Sequence, residues 1–268
     1  SAVQAAALGV SLVILLDCIM TFFGSAANDA AYNAWITDAG NESDRGKIEG
    51  INAMMPLVAI LVVFGGFMGF NLDEASSWSV IFAVIGSVVL IIGVAGIFLI
   101  DEIPVKSEDG TQVTYLQNVL YSFRMSTFRE NKLLYAVIGA FAVFGISINT
   151  FMPYLIVYYE KTLQMSNYVM IFAPAIILAA AFTAVYGTLY DMLGFQMSVM
   201  PSVGILMTGY VILYFFRSTV PVFAGTLIML CGYLSGMAVF GAMLRDHTPE
   251  NKAGMFQGQR IIGQVLVP

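Results

Sequence analysis

The segment DAGNESDRGKIEG, residues 38–50, has a partial copy near the other end of the chain, DHTPENKAGMFQG, residues 246–258. Aspartate, glutamate, glycine and glycine coincide at the first, fifth, ninth and thirteenth places, so the copies are offset by 208 residues (246 minus 38). Each copy follows a long apolar run and leads into another. Similar segments in the same context at a fixed offset indicate an internal repeat.

The apolar runs around these segments are long enough to cross a membrane. Hydrophobic residues make up 59% of the chain and charged residues 10%, and the mean hydropathy is +0.84. Soluble domains are about half apolar and about a quarter charged. Runs of about 20 residues suffice for a helix through roughly 30 Å of hydrocarbon. They cover residues 5–37, 51–70, 78–100, 133–159, 168–190, 197–216, 220–244 and 253–268. The sequence therefore predicts an all-α polytopic membrane protein.

The repeat predicts how these helices are arranged. Six runs lie between the two copies, so equivalent points lie six helices apart and on the same side of the membrane. This spacing predicts two parallel six-helix repeats. We expect residues 1–100 to be the end of an N-terminal transmembrane half and residues 133–268 to belong to a C-terminal half. Between them, residues 101–132 are expected to form a linker on one membrane surface.

The linker is predicted to carry an amphipathic helix that lies along the membrane surface. Apolar residues recur in it at roughly helical spacing: Val113, Leu116, Leu120, Phe123 and Phe128.

Basic residues are unevenly distributed between the two sides of the membrane. The loops 38–50, 101–132 and 245–252 hold eight lysines and arginines, whereas the loops on the other side hold two. Because basic loops favour the cytoplasm, the first set is predicted to be cytoplasmic in a multi-pass protein of the plasma membrane. The net charge of −6 is spread over short loops without a basic face, so no nucleic-acid partner is expected.

One loop carries a motif that resembles a known family. Residues 187–196, GTLYDMLGFQ, are similar to the Gly-x-Leu-x-Asp-x-x-Gly motif between helices 8 and 9 of the major facilitator superfamily. The matching residues are Gly187, Leu189, Asp191 and Gly194. The basic residues usual in the motif are replaced by Met192, Phe195 and Gln196. The resemblance implies a membrane transporter fold truncated at both ends, with this chain covering helices 4 to 10 and the start of helix 11.

The first apolar run is most similar to that of the glycoside–pentoside–hexuronide cation symporters within this superfamily. The resemblance rests on Asp29 and Tyr32 in NDAAYNAWITD, an acid a few residues before an aromatic. It implies Na⁺- or H⁺-coupled symport of a sugar or similar small polar solute. A proton-coupled exporter of drugs or amphiphiles, or a non-transporting scaffold or receptor, stays open as an alternative.

Asp29 also stands out on physical grounds. It precedes Asp38 by nine residues, which places it about 13 Å along the helix, near mid-membrane. A charge at that depth costs about 3 kcal/mol on insertion scales, so the side chain should face a cavity or a partner. The equivalent residue in the second copy is Met237, so the repeat does not require an acid here. Asp29 is predicted to bind the coupling cation or proton, with a buried structural hydrogen bond as the alternative.

Several polar residues on predicted helices are candidates for contact with a solute. Asn28, Tyr32 and Asn33 surround Asp29 in sequence, and Asn149 and Tyr154 flank Pro153 in a later helix. Membrane helices also use such side chains merely to bind neighbouring helices, so both interpretations stay open.

The last apolar run adds two further candidates. Gln257 and Arg260 share a helical face with Gln264 at intervals of three and four. Arg260 either reaches the aqueous surface or points into a central cavity to meet an anionic group.

Charged residues at the ends of the predicted helices are candidates for a cytoplasmic gate. Asp38, Arg45, Arg245 and Asp246 lie at equivalent or neighbouring positions of the two copies. The motif resemblance leads us to expect that Asp191 approaches Arg245. Solvated loop charges are the alternative.

The remaining motifs exclude other classes of function. The chain has no Gly-x-x-x-x-Gly-Lys-Ser/Thr loop, and its single histidine, His247, lies in a predicted loop without a His-Glu-x-x-His helix. We therefore expect neither an ATPase nor an intramembrane enzyme, and no cofactor or metal beyond a coupling Na⁺ or H⁺. The expected partners are membrane lipid and a small polar solute, which the resemblance above implies to be a sugar. The protein is expected to be a monomer.

Overall fold

The computed structural model describes residues 2–67, 69–71, 74–100, 120–165, 168–249 and 253–268. This part of the chain contains helices and turns and no β-strand. The prediction of an all-α chain is confirmed.

The longer helices follow the predicted apolar runs. We number the α-helices in chain order: α1 Ala2–Ser25, α2 Asn33–Ala39, α3 Arg45–Gly66, α4 Ala75–Leu99, α5 Met125–Glu130, α6 Lys132–Val157, α7 Val169–Phe215, α8 Thr219–Asp246 and α9 Ala253–Ile261. Wider π-helical turns cover Ala26–Tyr32, Tyr158–Thr162 and Ile262–Leu266, and 3₁₀ turns cover Glu42–Asp44 and Tyr121–Phe123.

Within the described residues, six helical stretches are long and apolar enough to cross a membrane. They are Leu8–Thr37, Arg45–Val63, Ala75–Leu99, Lys132–Thr162, Ile171–Phe215 and Thr219–Asp246. Many of their large apolar side chains are exposed; Phe98 is 82% and Leu99 80% accessible. Such a surface suits hydrocarbon rather than water.

The helix α7 is two membrane passes joined at Gly194. Its 47 residues would extend about 70 Å, more than twice the thickness of a hydrocarbon core. Gly194 has φ 74° and ψ −178°, a backbone conformation open almost only to glycine. This break falls inside the loop predicted at 187–196, most of which is helical. The last glycine of the sequence motif is therefore the residue that allows the chain to turn.

Two further boundaries differ from the sequence prediction. The stretch 45–50, predicted as loop, already forms the first turns of α3. In the described part of the linker, the predicted amphipathic helix is interrupted at Arg124, which is extended with ψ 140° and separates the 3₁₀ turn Tyr121–Phe123 from α5. Residues 101–119 of the linker lie outside the described residues.

The chain forms two compact units. Unit 1 contains Ser1–Glu42, Val105–Leu155 and Met243–Pro268. In it α9 packs on α2 and on the end of the linker. The linker end is fastened by the Ser122 carbonyl, which accepts hydrogen bonds from the Tyr135 hydroxyl and from Gln259 Nε2 at 3.3 Å. Tyr121 also packs edge-to-face on Phe256, with ring centroids 6.1 Å apart.

Unit 2 contains Ser43–Pro104 and Ile156–Ala242. Its main packing is α3 on α7, where Gly46 and Gly187 bring the two backbones together so closely that a Cβ on either would overlap the other. The predicted halves, residues 1–100 and 133–268, are repeats of the chain, whereas the two units are parts that pack together. The division into two halves stays a prediction.

Candidate functional site

The most buried charge in the described residues is the guanidinium of Arg245, which is 1% exposed on the last turn of α8 in unit 1. Its Nη1 donates to the Asn33 carbonyl at 3.0 Å and to Thr37 Oγ1 at 2.5 Å. Its Nη2 donates to Asn33 Oδ1 at 3.0 Å. A buried guanidinium needs such acceptors because removing its charge from water is costly.

The turn before α2 prepares these acceptors. Residues Ala26–Tyr32 wind as a π-helix, and the side-chain nitrogen Nδ2 of Asn33 donates to the backbone carbonyl of Asn28, five residues back, at 2.9 Å. A carbonyl can only accept, so this bond fixes the amide of Asn33 with its oxygen available to Arg245. The Thr37 hydroxyl in turn donates to the Asn33 carbonyl at 2.7 Å, which leaves its oxygen free to accept from Arg245.

A cleft in unit 1 lies beside this arginine, and we call it the unit 1 cleft. The residues that line it are Thr37, Leu134, Ile138, Leu244, Arg245, Thr248, Phe256, Gln257 and Arg260. Two of these nine are arginines and none is an acid, while leucine, isoleucine and phenylalanine side chains supply an apolar wall. The cavity volume is about 10 Å³, which is room for about one water molecule, so the cleft is closed in this structure.

Helix α9 contributes the predicted face of Gln257 and Arg260 to this cleft. Arg260 is 8% exposed and its Nε donates to Gln264 Oε1 at 3.2 Å. The side chain of Arg260 lines the cleft, and its role towards an anionic group stays a prediction.

Gln257 is 5% exposed, and its amide nitrogen donates to the carbonyl of Ala253 at 3.2 Å. Since that carbonyl can only accept, the amide oxygen must point the other way. Within the described residues this buried oxygen has no hydrogen-bond partner. A buried acceptor without a donor is costly, and an incoming hydroxyl group could satisfy it.

Other predicted solute contacts lie outside the unit 1 cleft. Asn149 and Tyr154 are exposed, Tyr154 by 67%, because α6 turns the neighbouring Ile148 and Leu155 inwards instead. Asn28 is exposed, and Tyr32 is 37% exposed and pairs with Trp35 at a ring distance of 6.4 Å. The roles of Asn149 and Tyr154 as solute contacts stay predictions.

Asp29 and Asp38 lie on described backbone, Asp29 in the π-helical turn Ala26–Tyr32 and Asp38 in α2. Their side chains lie outside the described part of the chain. The coupling role of Asp29 and the gate role of Asp38 stay predictions.

Unit 2 holds the residues of the sequence motif. The Asp191 carboxylate accepts hydrogen bonds from the backbone amides of Gly46 at 2.6 Å and Lys47 at 3.0 Å. These amides belong to the first turn of α3, whose preceding residue, Asp44, makes no side-chain cap. The described partners of Asp191 are thus backbone amides of α3, and its expected approach to Arg245 stays a prediction.

Two predicted gate residues, Arg45 and Asp246, remain. Arg45 is half-buried in the first turn of α3, and Asp246, at the end of α8, is exposed. Asp44 forms an ion pair with Lys47 at 2.7 Å, and the hydrogen bond from Lys47 lowers the pKa of Asp44.

The sequence prediction missed Glu49, which is 3% exposed in unit 2. Its carboxylate lies against Gly241, where a Cβ would come within 2.6 Å of Oε2, and it is 3.5 Å from Asn52 Nδ2. The repeat contained a signal for it, since Glu49 is equivalent to Gln257 (257 minus 49 is 208). Thr37, the repeat equivalent of Arg245, was missed in the same way.

A family model described as Major Facilitator Superfamily matches residues 2–266. No curated protein and no solved structure matches the chain. The helical architecture and the apolar spans agree with the family match. Because that match covers nearly all of its residues, the chain belongs to the major facilitator superfamily, whose members are membrane transporters.

Proposed function

We propose that this protein is a secondary carrier that moves a sugar or similar small polar solute by alternating access, driven by a Na⁺ or H⁺ gradient. The proposal places it in the plasma membrane as a monomer, with the arginine-bearing end of α8 on the cytoplasmic side. Family membership supports transport, and the arginines and the glutamine among the residues that line the unit 1 cleft support a polar solute over an amphiphile.

The observation that carries the proposal is the set of hydrogen bonds from Arg245 to Asn33 and Thr37. Arg245 belongs to the second copy of the repeat and its two partners to the first, so these bonds join the repeats at one end. A carrier that alternates between two open states needs a contact of this kind that closes one end and can be broken. Hydrogen bonds from a guanidinium are suited to this because each contributes only about 1.5–3 kcal/mol net.

The coupling role proposed for Asp29 can be tested by transport into liposomes that contain the complete protein. The Asp29→Asn variant keeps the size and polarity of the side chain but loses its negative charge, so it neither neutralises a bound cation nor takes up and releases a proton. We expect it to exchange solute between the two sides while no longer accumulating solute against a gradient.

Asp17→Asn provides a matched control, since Asp17 lies on the same helix and nearer its other end. This variant should accumulate solute like the parent protein. Full ion-driven accumulation by Asp29→Asn would remove the coupling role. Proton-driven export of an amphiphile without sugar uptake would favour the exporter, and absence of any solute movement would favour a scaffold or receptor.

A further inference from the structure

We propose that the end of the linker, residues 120–133, is a docking surface for anionic phospholipid, whose headgroup phosphate binds Arg124, Arg129 and Lys132. We call this segment the linker end. The inference goes beyond the proposed transport of a solute, because its partner is a lipid of the membrane in which the protein lies.

The linker end leads directly into a membrane-spanning stretch. Its last residues belong to the span Lys132–Thr162. The short helix α5 folds back on the start of that span, where the ring centroids of Phe128 and Tyr135 are 4.8 Å apart. Since a span begins at the edge of the hydrocarbon, the linker end lies at the level of the lipid headgroups.

Large apolar side chains of the linker end are exposed. Met125 is 67% and Phe123 51% exposed, and Leu120, Phe128 and Leu133 are exposed as well. Leaving such side chains in water is costly, whereas at this depth the leaflet can cover them. The occupant that the position of the segment favours is therefore lipid.

Hydrogen bonds within the linker end determine which side of α5 faces outwards. Thr127 is buried, and its hydroxyl donates to the Tyr121 carbonyl at 2.9 Å. Successive residues of a helix are about 100° apart, so Met125 and Arg129, each two positions away, lie opposite Thr127. An apolar side chain and a cation thus share the outward face of α5.

Basic residues determine which lipid this surface fits. Arg124, Arg129 and Lys132 are exposed, and Glu130 is the one acid within residues 120–133. Among the described residues, none of the three cations forms an ion pair. Guanidinium and ammonium groups bind phosphate oxygens well. The cytoplasmic leaflet, on the side predicted for the linker, carries anionic lipid.

Lipid bound at the linker end should also stabilise one wall of the unit 1 cleft. The Ser122 carbonyl accepts from Gln259 Nε2 on α9 at 3.3 Å, and the Tyr121 ring packs on Phe256, which lines the cleft. Holding the linker end at the leaflet therefore holds α9 in its closed arrangement.

The test compares two lipids that differ only in the headgroup, dioctanoyl phosphatidylglycerol and dioctanoyl phosphatidylcholine. Each is titrated into the complete protein in a neutral detergent, and its affinity is read from the rise in melting temperature. A basic residue beside an anionic leaflet contributes about fivefold in affinity, so we expect the anionic lipid to bind at least about tenfold more tightly. High salt should reduce this preference by screening exposed charges. Equal affinities, or a preference that salt does not change, would overturn the inference.

Removing the three cations should abolish the preference. In the variant Arg124→Gln/Arg129→Gln/Lys132→Gln both lipids should bind with similar affinity, and an unchanged affinity for phosphatidylcholine shows that the variant is folded. If it does not fold, each single glutamine variant should lower the preference by about fivefold. Arg124→Lys combined with Arg129→Lys keeps the charge and should keep the preference. A preference that survives loss of the cations would overturn the inference.

Lys47→Gln is the matched control. Lys47 is also exposed on the predicted cytoplasmic side, but it forms an ion pair with Asp44 at 2.7 Å. This variant should keep the preference of the parent protein. A loss as large as that in Arg129→Gln would show that any base on this side attracts the lipid, and the linker end would then be no distinct site.

Two other occupants give different results, and either would overturn the inference. If glycerol phosphate, the headgroup without acyl chains, binds as tightly as the anionic lipid, the site is one for a free phosphate. If Phe123→Ser and Met125→Ser lower the molar mass of the protein in detergent, the surface joins two copies of this chain.

The effect on the cleft is measured by hydrogen exchange in nanodiscs. The amides of α9 should exchange more slowly with phosphatidylglycerol than with phosphatidylcholine, and the difference should disappear in the variant without the three cations. Equal exchange with the two lipids would overturn the effect on the cleft. None of these measurements uses a solute, so the carrier function and the lipid surface can fail separately.

Discussion

Asp191 shows how one carboxylate determines where a distant helix begins. It binds the amides of Gly46 and Lys47, which lie 145 and 144 residues earlier in the chain. The first amides of a helix have no partner within it, and a carboxylate there also meets the positive end of the helix dipole. Asp191 therefore does for α3 what Asp44 would do in a locally capped helix, and it ties α3 to α7.

The stability of unit 2 should depend on the charge of Asp191. Asp191→Asn keeps one acceptor oxygen but loses the second and the negative charge, so we expect a loss of about 1–2 kcal/mol in the free energy of unfolding. Denaturant unfolding in detergent micelles measures it. Asp44→Asn removes an acid from the same helix end in an exposed ion pair and should change stability by less than about 1 kcal/mol. Equal effects of the two substitutions would contradict the capping role.

At the scale of elements, α7 and α8 pack through glycines. A Cβ on Gly209 would overlap the backbone of Met229, and one on Gly232 would overlap that of Leu206. Membrane helices commonly use small residues to approach in this way, because lipid provides no hydrophobic force between them. The contact is therefore a matter of shape and tolerates little added volume.

Gly209→Ala should destabilise the protein by about 1–3 kcal/mol because the backbone of Met229 would have to shift. Gly204→Ala makes the same change five residues earlier on α7, where no atom lies within 4 Å of the added Cβ. It should be neutral or stabilise by up to about 1 kcal/mol, since alanine favours the helix. Thermal unfolding of both variants in one lipid nanodisc preparation compares them. A stable Gly209→Ala protein would mean that the two helices are not fixed at this distance.

The helices themselves could be predicted from sequence because lipid leaves the backbone no alternative to internal hydrogen bonds. The start of α3 could not, since its polar first turn resembles a loop and its cap, Asp191, is far away in the chain. The spacing of Gln257, Arg260 and Gln264 at intervals of three and four predicts a shared face, and the first two line the unit 1 cleft. No such pattern constrained Asn149, and a polar residue on a helix does not by its identity reveal which face it occupies.

At the scale of the whole molecule, residues that are equivalent in the repeat also take part in related contacts. Some are in contact with each other, and others lie on helices that pack together in the same way as their equivalents. Thr37 and Arg245 occupy equivalent positions and are hydrogen-bonded to each other in unit 1. Glu49 lies against Gly241 in unit 2. The residues equivalent to this pair are Gln257 on α9 and Asn33 on α2, and these two helices pack on each other in unit 1. The two copies therefore meet through the same places while carrying different side chains there.

This equivalence allows a test in which two side chains exchange places. Arg245→Thr alone removes the donor of three hydrogen bonds, and Thr37→Arg alone places a second cation beside Arg245, so each should destabilise the protein. The double variant has one arginine and one threonine again, in exchanged positions. We expect it to be more stable than the sum of the single effects by about 0.5–3 kcal/mol, the range found for residues in contact.

The exchange should recover only part of the stability, because Asn33 is replaced by Gly241 in the equivalent place and the third hydrogen bond is lost. Unfolding measurements on the parent, both single variants and the double variant complete the cycle, and uptake rates on the same four proteins show whether the contact controls access. A coupling near zero would mean that the hydrogen bond between Arg245 and Thr37 adds no stability and that the repeat relation contributes nothing to closing the cleft. A stabilising coupling with restored uptake would instead show that closure needs one cation at this meeting point, whichever copy supplies it.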